Sequence, residues 1–475
     1  MEERLKKLEK LKEQGIEPYP YNFTRTHDFR TIKDDFENLS QSGKKVMSCG
    51  RILTIRGHGK TIFATLGDES GKMQLYLRQD KLGEQFELFK LFDIGDFIGV
   101  KGSIFRTKTG EITILVEALT ILCKALRSLP EKWHGLKDVE IRYRKRFLDL
   151  IANHEIREFF RERTKVITLI RKYLDEHDFI EMETPILQPI YGGGEARPFE
   201  TYYNALEQHM YLRIADELYL KRLIVGGYEK VYEVCRDFRN EGVDRLHNPE
   251  FTMLEVYQAY TDYYGIMDLV ESLLEFLVER AVGSDTLTFV NKEVRFQRPF
   301  KRIEYIATLN DNLGFDVFSA GEEKIDEACE ASSIDYKKIS KGAKIDKLFT
   351  ELVQKHIIEP TFVINHPKII SPLAKAHRND ERCVERFELV MFGVEIANAF
   401  SELNEPIEQR KRFEDQLARR DVGISEIDED FIEALEYGMP PTGGLGIGID
   451  RLCMVLFNQP SIRDVILFPQ LRKEK

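Results

Sequence analysis

Nowhere in its 475 residues does the chain hold an apolar run of the roughly 18 residues that a membrane-spanning helix needs. Its six cysteines (Cys49, Cys123, Cys235, Cys329, Cys383 and Cys453) are scattered and form no C-x-x-C pair. That argues against a zinc site or a disulfide framework and predicts a reducing, cytoplasmic setting. Met1 to Gln14 mixes Lys, Arg and Glu with Leu5, Leu8 and Leu11, so it reads as an amphipathic helix without the apolar centre of a secretory signal. There is no internal repeat and no low-complexity segment. A phosphate-binding P-loop and a glycine fingerprint after a strand are also missing; Gly444-Leu445-Gly446-Ile447-Gly448 is glycine-rich but lacks the P-loop lysine. A nucleotide used by this chain must have its phosphates held by arginines.

What is present is ordinary for a soluble globular protein: 42% hydrophobic and 32% charged residues, in a length suited to about three average domains. The net charge of −11 argues against a polyanionic partner, but it is uneven. Residues 1–130 hold 22 Lys and Arg against 18 Asp and Glu, a net +4, and the remainder carries −15. Such a front either guides a polyanion onto one face or is ordinary surface variation.

From Val46 to Ala125 the pattern predicts five short strands, 46–56, 61–67, 71–78, 97–106 and 111–123, with a helical stretch Lys81 to Leu91 after the third. That is the order of an OB barrel. In the second strand Ile62, Ala64 and Leu66 share one side and Thr61, Phe63 and Thr65 the other; in the third, Met73, Leu75 and Leu77 oppose Gln74 and Tyr76. Phe63 and Tyr76 thus sit among polar neighbours, beside a Gly57-His58-Gly59 loop flanked by Arg56 and Lys60. Rings so placed either stack bases of single-stranded nucleic acid, worth roughly 1–3 kcal/mol each, or cover the barrel end.

Leu126 to Asp138, with Pro130 and Gly135, reads as a linker. The expected organisation is an N-terminal helix and lead-in over 1–42, the barrel over 43–126, the linker over 127–145 and a second domain over 146–475. An arginine-rich helical stretch runs from Val139 to Asp178. Beyond it, strands and helices mix without regular alternation, which favours an α+β domain built on an antiparallel sheet. Residues 265–350 read as a mostly helical insertion with no evident chemistry.

Four segments carry candidate chemistry. Phe179 to Pro185 ends a helix and enters a strand, closed by a proline that breaks pairing. Val231 to Ala259 reads as a hairpin in which Arg239 and Glu241 share a parity, as do Phe251, Glu255 and Tyr257. Its loop gathers Glu241, Arg245 and His247 beside Phe251. This is either a surface ion-pair hairpin or a nucleotide site, with guanidinium forks for phosphates and a ring for a purine. The runs Phe387 to Met391 and Val394 to Asn398 fold as a hairpin about Phe392-Gly393, pairing Val390 with Glu395 and making Glu388 its diagonal neighbour. Two carboxylates so close repel unless a cation or protons intervene, and with ATP as substrate Mg²⁺ is the natural cation. Asn398, Phe400 and Glu402 fall on the opposite parity, so either a bulge re-aims them or they serve another surface. Finally, Gly443 to Arg451 is a glycine-spaced strand leading into a helix, either a pattern of close backbone packing or one that lets Arg451 at the helix start reach a phosphate.

Phe179 to Pro185, Phe238-Arg239-Asn240-Glu241 and Gly444 to Arg451 resemble motifs 1, 2 and 3 of the class II aminoacyl-tRNA synthetases, in order and at suitable separations. Four further stretches are similar to the bacterial-type lysyl members: Gly57 to Lys60, His134-Gly135-Leu136, Gly192 to Phe199 and Asn398 to Asn404. The likeness covers nearly the whole chain. Gly194 stands where the family more often has Ala, and Asp216 where Pro, Thr or Ser is commoner.

The resemblance implies activation of L-lysine with ATP, Mg²⁺ but no zinc, transfer to tRNA(Lys), and a homodimer formed through the motif 1 region. Arg239 would hold the α-phosphate, with Arg451 and His247 toward the γ-phosphate; both arginines are the implied catalytic residues. Phe251 and Arg451 would sandwich adenine, and Glu241 would position ATP. Glu388 and Glu395 would bind Mg²⁺. Gly193 and Glu217 would take the α-amino group of lysine, Glu402 and Tyr257 the ε-ammonium, with Asn398 and Phe400 completing the pocket. Phe63, Gln74 and Glu117 match positions that read a uridine-rich anticodon. No general base is needed, because the attacking carboxylate is ionised at neutral pH. A buried carboxylate should reject neutral side chains by about 10⁴–10⁵, so no editing domain is required.

Rival readings are an aspartate- or asparagine-type relative, for which Glu402 has the wrong charge, and a lysine ligase acting on protein, which lacks a front barrel. A non-catalytic RNA-binding paralog predicts damaged ATP ligands, whereas Arg239, Glu388, Glu395 and Arg451 are intact.

Overall fold

Alternation decides the first part of the chain. Ile62, Ala64, Leu66, Met73, Leu75 and Leu77 are all buried, and each of the larger ones, alanine apart, is worth about 1.5–3 kcal/mol when removed from water. The strands that carry them close into a barrel. In the computed structural model β1 (Val46–His58), β2 (Thr61–Gly67), β3 (Lys72–Arg78), β4 (Phe97–Arg106) and β5 (Ile112–Cys123) pair in the order β1-β2-β3-β5-β4. The expected helical stretch after the third strand is two short helices, Gln79–Leu82 and Glu84–Phe89, split at Gly83. With φ at +55°, Gly83 holds a left-handed backbone that a side chain would strain. The arrangement is an OB-fold. Helix α1 (Glu2–Glu13) is tied to this barrel by Arg4, which donates to the carbonyls of Ala125 and Ile94, both at 2.9 Å, and by Lys7 Nζ at 2.6 Å from Asp93.

The structure describes residues 1–129, 136, 138–337, 339–419 and 426–473. Pro130 and the expected signature residues His134 and Gly135 lie outside them. Two compact units are present, Met1–Leu136 and Lys137–Lys475.

The second unit is built on an eight-stranded sheet. Its strands are β6 (Ile180–Glu181), β7 (Lys230–Phe238), β8 (Glu250–Ala259), β9 (Lys301–Glu304), β10 (Thr361–Ile364), β11 (Arg386–Met391), β12 (Val394–Ser401) and β13 (Thr442–Gly448). They pair in the order β9-β10-β11-β12-β13-β8-β7-β6. The expectation of an antiparallel sheet needs one correction: the interior is antiparallel, but β9 pairs with β10, and β6 with β7, in parallel. Both exceptions join short edge strands delivered by long connections, which free the chain from hairpin geometry.

Helices cover this sheet: α2 (His154–Asp175), α3 (Glu217–Val225), α4 (Tyr263–Leu277), α5 (Lys341–Leu352), α6 (Pro406–Arg419) and α7 (Ile449–Leu456). Along α2, Val166, Ile170, Tyr173 and Leu174 are buried at helical spacing. Asp262 caps α4 by accepting from the Tyr264 amide at 3.0 Å, and the helix then buries Ile266, Met267, Val270, Leu273, Leu274 and Leu277 in the main core. Residues 265–350 therefore hold more than helices. They include the core helix α4, a small hairpin (Thr286–Phe289 with Lys292–Arg295) and the edge strand β9.

Candidate active site

Every residue that the resemblance assigns to ATP, lysine or metal lines one cavity of about 810 Å³ in the second unit, formed over β8, β11, β12 and β13, whereas Arg245 of the candidate nucleotide loop is not in its lining and donates to the Pro460 carbonyl at 3.1 Å. Its floor is β13. A Cβ at Gly444 would lie 1.8 Å from Glu402 Oε1 and 2.7 Å from the Tyr257 ring; one at Gly446 would lie 2.7 Å from Glu255 Oε1. The glycines are thus spaced so that functional side chains of β8 and β12 can lie across the strand.

The parity question at β12 resolves as a bulge. Phe392 and Gly393 form the turn, both with positive φ, and Val390 pairs with Glu395 as expected. Leu389 then pairs with Ala397, leaving Ile396 as the extra residue. That one-residue slip turns Asn398, Phe400 and Glu402 to the same cavity that Glu395 faces.

At one end of the cavity stand the motif 2 and motif 3 arginines. The Arg239 guanidinium lies 5.1 Å from the centre of the Phe251 ring. Arg451 NH1 donates to Glu395 Oε2 at 2.9 Å, and its NH2 lies 3.1 Å from His247 Nε2. His247 Nδ1 is 2.8 Å from Asp244 Oδ2, which fixes the ring as donor to Asp244 and acceptor from Arg451. Burial works against the Asp244 charge, but hydrogen bonds from the Leu246 amide and His247 hold its carboxyl below the ordinary value. Asp244 also accepts from the Leu246 and His247 amides at 2.7 and 2.9 Å, which shapes the loop that carries Glu241. Behind these, Arg163 of α2 donates to Asp450 at 2.6 Å while Asp450 accepts from the Thr252 amide at 2.8 Å, locking α7 onto β8.

A second group centres on Arg386, which the sequence reading did not single out. It donates to Glu388 Oε1 at 2.7 Å and to Asn398 Oδ1 at 2.9 Å. Burial works against the Glu388 charge, but buried His366, and then the Arg386 guanidinium, outweigh it, so its pKa falls below the ordinary carboxylate value. Glu195, Asp346 and Glu395 lie within electrostatic range of the same guanidinium. Asp346 belongs to α5, inside the stretch in which no chemistry was evident. Enclosure by protein, and then the Glu388 charge, push its carboxyl up to about 6. Nothing in its i, i+3 surroundings marked it; its role follows from where α5 docks.

The third group is the most enclosed. Tyr257 donates to Glu255 Oε2 at 3.1 Å. Lys221, wholly buried, reaches Glu217 Oε1 at 2.5 Å and forms a second ion pair with Glu402. Glu402 is therefore a paired carboxylate before any substrate binds, since Lys221 faces it. Glu217 and Lys221 stand four apart on α3, a spacing that could have revealed the pair. Burial disfavours the Lys221 charge, but the two carboxylates hold its pKa above the ordinary lysine value. Gly193, with φ at +80°, passes so close that its Cβ would lie 3.2 Å from Ala215 and 3.3 Å from Glu217. Phe400 offers its ring to Lys221 at 5.4 Å.

In the first unit, Phe63 on β2 stacks on Tyr76 of β3 with ring centres 4.6 Å apart and remains 37% exposed. Gln74 donates to Thr113 Oγ1 at 3.0 Å, and Glu117 is ion-paired with Lys45. All three candidate anticodon residues lie on the outer surface of the barrel.

The family model described as tRNA synthetases class II (D, K and N) matches residues 138–472, and one described as an OB-fold nucleic acid binding domain matches residues 46–122. A lysine–tRNA ligase of Fervidobacterium nodosum is 49% identical over 480 residues, covering 100% of this chain and 94% of the relative. One from Thermotoga maritima is 49% identical over 484 residues, covering 100% and 96%, and one from Carboxydothermus hydrogenoformans is 50% identical over 476 residues, covering 99% and 97%. With both units matched and identity maintained end to end, the chain belongs to the lysine–tRNA ligase family of class II aminoacyl-tRNA synthetases.

Proposed function

We propose that this protein activates L-lysine with ATP and esterifies the lysyl group to tRNA(Lys). The observation that carries the reading is the charge balance of the enclosed end of the cavity. Among the described residues Lys221 pairs with both Glu217 and Glu402, while Glu255, whose charge burial disfavours, lines the same end of the cavity. The carboxyls outnumber this cation, burial disfavours the charges of Glu255 and Glu402, and free lysine brings two ammonium groups that would stabilise them. An aspartate or asparagine substrate would add no side-chain cation there and would leave buried carboxylates uncompensated.

In this reading Glu217 and the Gly193 backbone receive the α-ammonium, while Glu402 and Tyr257 receive the ε-ammonium. Asn398 and Phe400 close the pocket. The lysine carboxylate then points toward Arg239, which neutralises the α-phosphate as attack proceeds. Phe251 receives adenine, Glu241 positions ATP, and His247 with Arg451 meets the γ-phosphate. Catalysis is positioning plus charge neutralisation, and no side chain has to remove a proton from the attacking group. Glu388 and Glu395 offer hard oxygen donors beside these phosphates, which fits Mg²⁺. When bound, that ion would neutralise phosphate oxygens; each carboxylate keeps a free lone pair for it beyond its arginine contact.

Phe63, Gln74 and Glu117 read the anticodon on the barrel surface in the same proposal. A homodimer through motif 1 is supported by exposed Ile180, Ile186, Leu187, Tyr202, Tyr203 and Leu206 around β6. Among the described residues no helix is long and apolar enough to cross a membrane, and a cytoplasmic location suits an enzyme of translation. Incubation with total tRNA, ATP and one labelled amino acid at a time tests the whole reading. Lysine alone should become acid-precipitable with the tRNA; label from aspartate or asparagine would overturn it.

A further inference from the structure

Behind the lysine end of the cavity, and forming no part of its lining, three buried side chains converge: Asp216 at the start of α3, and Cys235 and Asp237 on β7. One ligand atom from each can be chosen so that all lie within 4.8 Å of one another. Cys235 Sγ and Asp237 Oδ1 are 3.8 Å apart. Tetrahedral coordination at ordinary Zn–S and Zn–O lengths sets ligand atoms roughly 3.4–3.6 Å apart, so the three groups would draw together on binding an ion.

The surroundings do not otherwise account for these groups. Both oxygens of Asp216, which has no solvent exposure, lack a hydrogen-bond partner among the described residues, as does Asp237 Oδ2. Arg213 is the nearest cation, with Nε 3.4 Å from Asp237 Oδ1. Its NH1 is already committed to Glu233 Oε1 at 2.8 Å, and its Nε donates to the Arg236 carbonyl at 2.9 Å. Glu233 and Glu255 add further negative charge nearby, and Arg239 is the other cation in range. Unpaired buried carboxylates are costly; Asp237 Oδ1 accepts from the Cys235 thiol and is ion-paired with Arg213, but both Asp216 oxygens and Asp237 Oδ2 have no such compensation among the described residues.

We propose that Asp216, Cys235 and Asp237 bind a borderline-soft divalent cation of the zinc type, with water as the fourth ligand, as a structural clamp between β7 and the start of α3. One thiolate with two carboxylates selects such an ion over Mg²⁺. The site escapes a search for C-x-x-C because two ligands are spaced i, i+2 along a strand, where they share a face, and the third comes from a helix start. Asp216 directly precedes Glu217, so the clamp would also fix the carboxylate that lines the cavity.

Cobalt is the probe, with the full-length protein produced in zinc-free medium supplied with Co²⁺ and then freed of loosely held metal by gel filtration. The expected result is one Co²⁺ per chain with a near-ultraviolet sulfur-to-cobalt charge-transfer band, which the carboxylates of the catalytic cavity cannot give. The band should vanish in Cys235→Ser, and retained cobalt should fall at least tenfold in Asp216→Ser and in Asp237→Asn. Absence of the band from the wild-type protein overturns the proposal, whatever the variants do. So does a band that persists in Cys235→Ser, or retention unchanged in Asp216→Ser.

Discussion

Lys221 and Glu402 form an ion pair in which neither side chain has any solvent exposure. The protein thus keeps a lysine of its own beside the carboxylate proposed to recognise the lysine substrate. Removing the cation alone, as Lys221→Met, leaves Glu217 and Glu402 facing each other in a buried site. Breaking such a pair typically costs about 3–5 kcal/mol, so the denaturant midpoint should fall clearly. An unchanged midpoint would show that Glu402 is not held charged by Lys221. The reciprocal change, Glu402→Gln, should abolish lysine-dependent exchange while leaving the KM for ATP near its wild-type value; equal loss of both contradicts the ε-ammonium role.

Gly444 is where backbone and side chain compete for the same space. A methyl group there lies within bonding distance of Glu402 Oε1, so Gly444→Ala must displace that carboxylate. The KM for lysine should rise at least tenfold, about 1.4 kcal/mol, with little change for ATP. Steady-state exchange measured against each substrate separates the two, and a parallel rise in both would point to general collapse of β13.

Phe63 belongs to a unit other than the one that holds the cavity, and its predicted effect is correspondingly separate. Phe63→Ala should weaken tRNA charging by about 1–3 kcal/mol in kcat/KM, the worth of one base stack, with adenylate formation intact. If adenylate formation falls in step, the anticodon role is refuted.

Asp346 supplies a pH dependence. Its carboxyl titrates near 6, well above the ordinary aspartate value, so it is neutral below that pH and anionic above it. Negative charge beside Glu388 and Glu395 therefore grows as pH rises through 6, and Mg²⁺ affinity should rise with it. The same shift means that ionising Asp346 opposes folding, so this group contributes a loss of stability as pH climbs from about 4 through 6. Asp346→Asn should flatten the Mg²⁺ titration across that range; an unaltered profile assigns the dependence elsewhere.

The parts legible in the sequence were those with short-range signatures. Alternation fixed both faces of β2 and β3, and the Phe392-Gly393 turn fixed the pairing of Val390 with Glu395. Parity allowed a bulge in β12, but its place at Ile396 was not legible, because nothing in the residue types says where an extra residue falls; the strand register and the shared cavity of Glu395 and Glu402 reveal it. Arg386, Lys221 and Asp346 were missed for related reasons. Each is an ordinary charged residue on a strand or helix, and its importance comes from long-range packing. Asp216 is the converse case, since its departure from the family pattern was visible in the sequence and the convergence with Cys235 and Asp237 was not.

The central claim, that the enclosed carboxylates select a doubly cationic amino acid for activation, is tested most directly by amino-acid-dependent ATP–pyrophosphate exchange with each of the twenty amino acids. Exchange with lysine, and with no other at comparable kcat/KM, is the predicted result. Exchange with aspartate or asparagine would contradict the pocket while sparing the fold, and no exchange with any amino acid would contradict the assignment of an active enzyme.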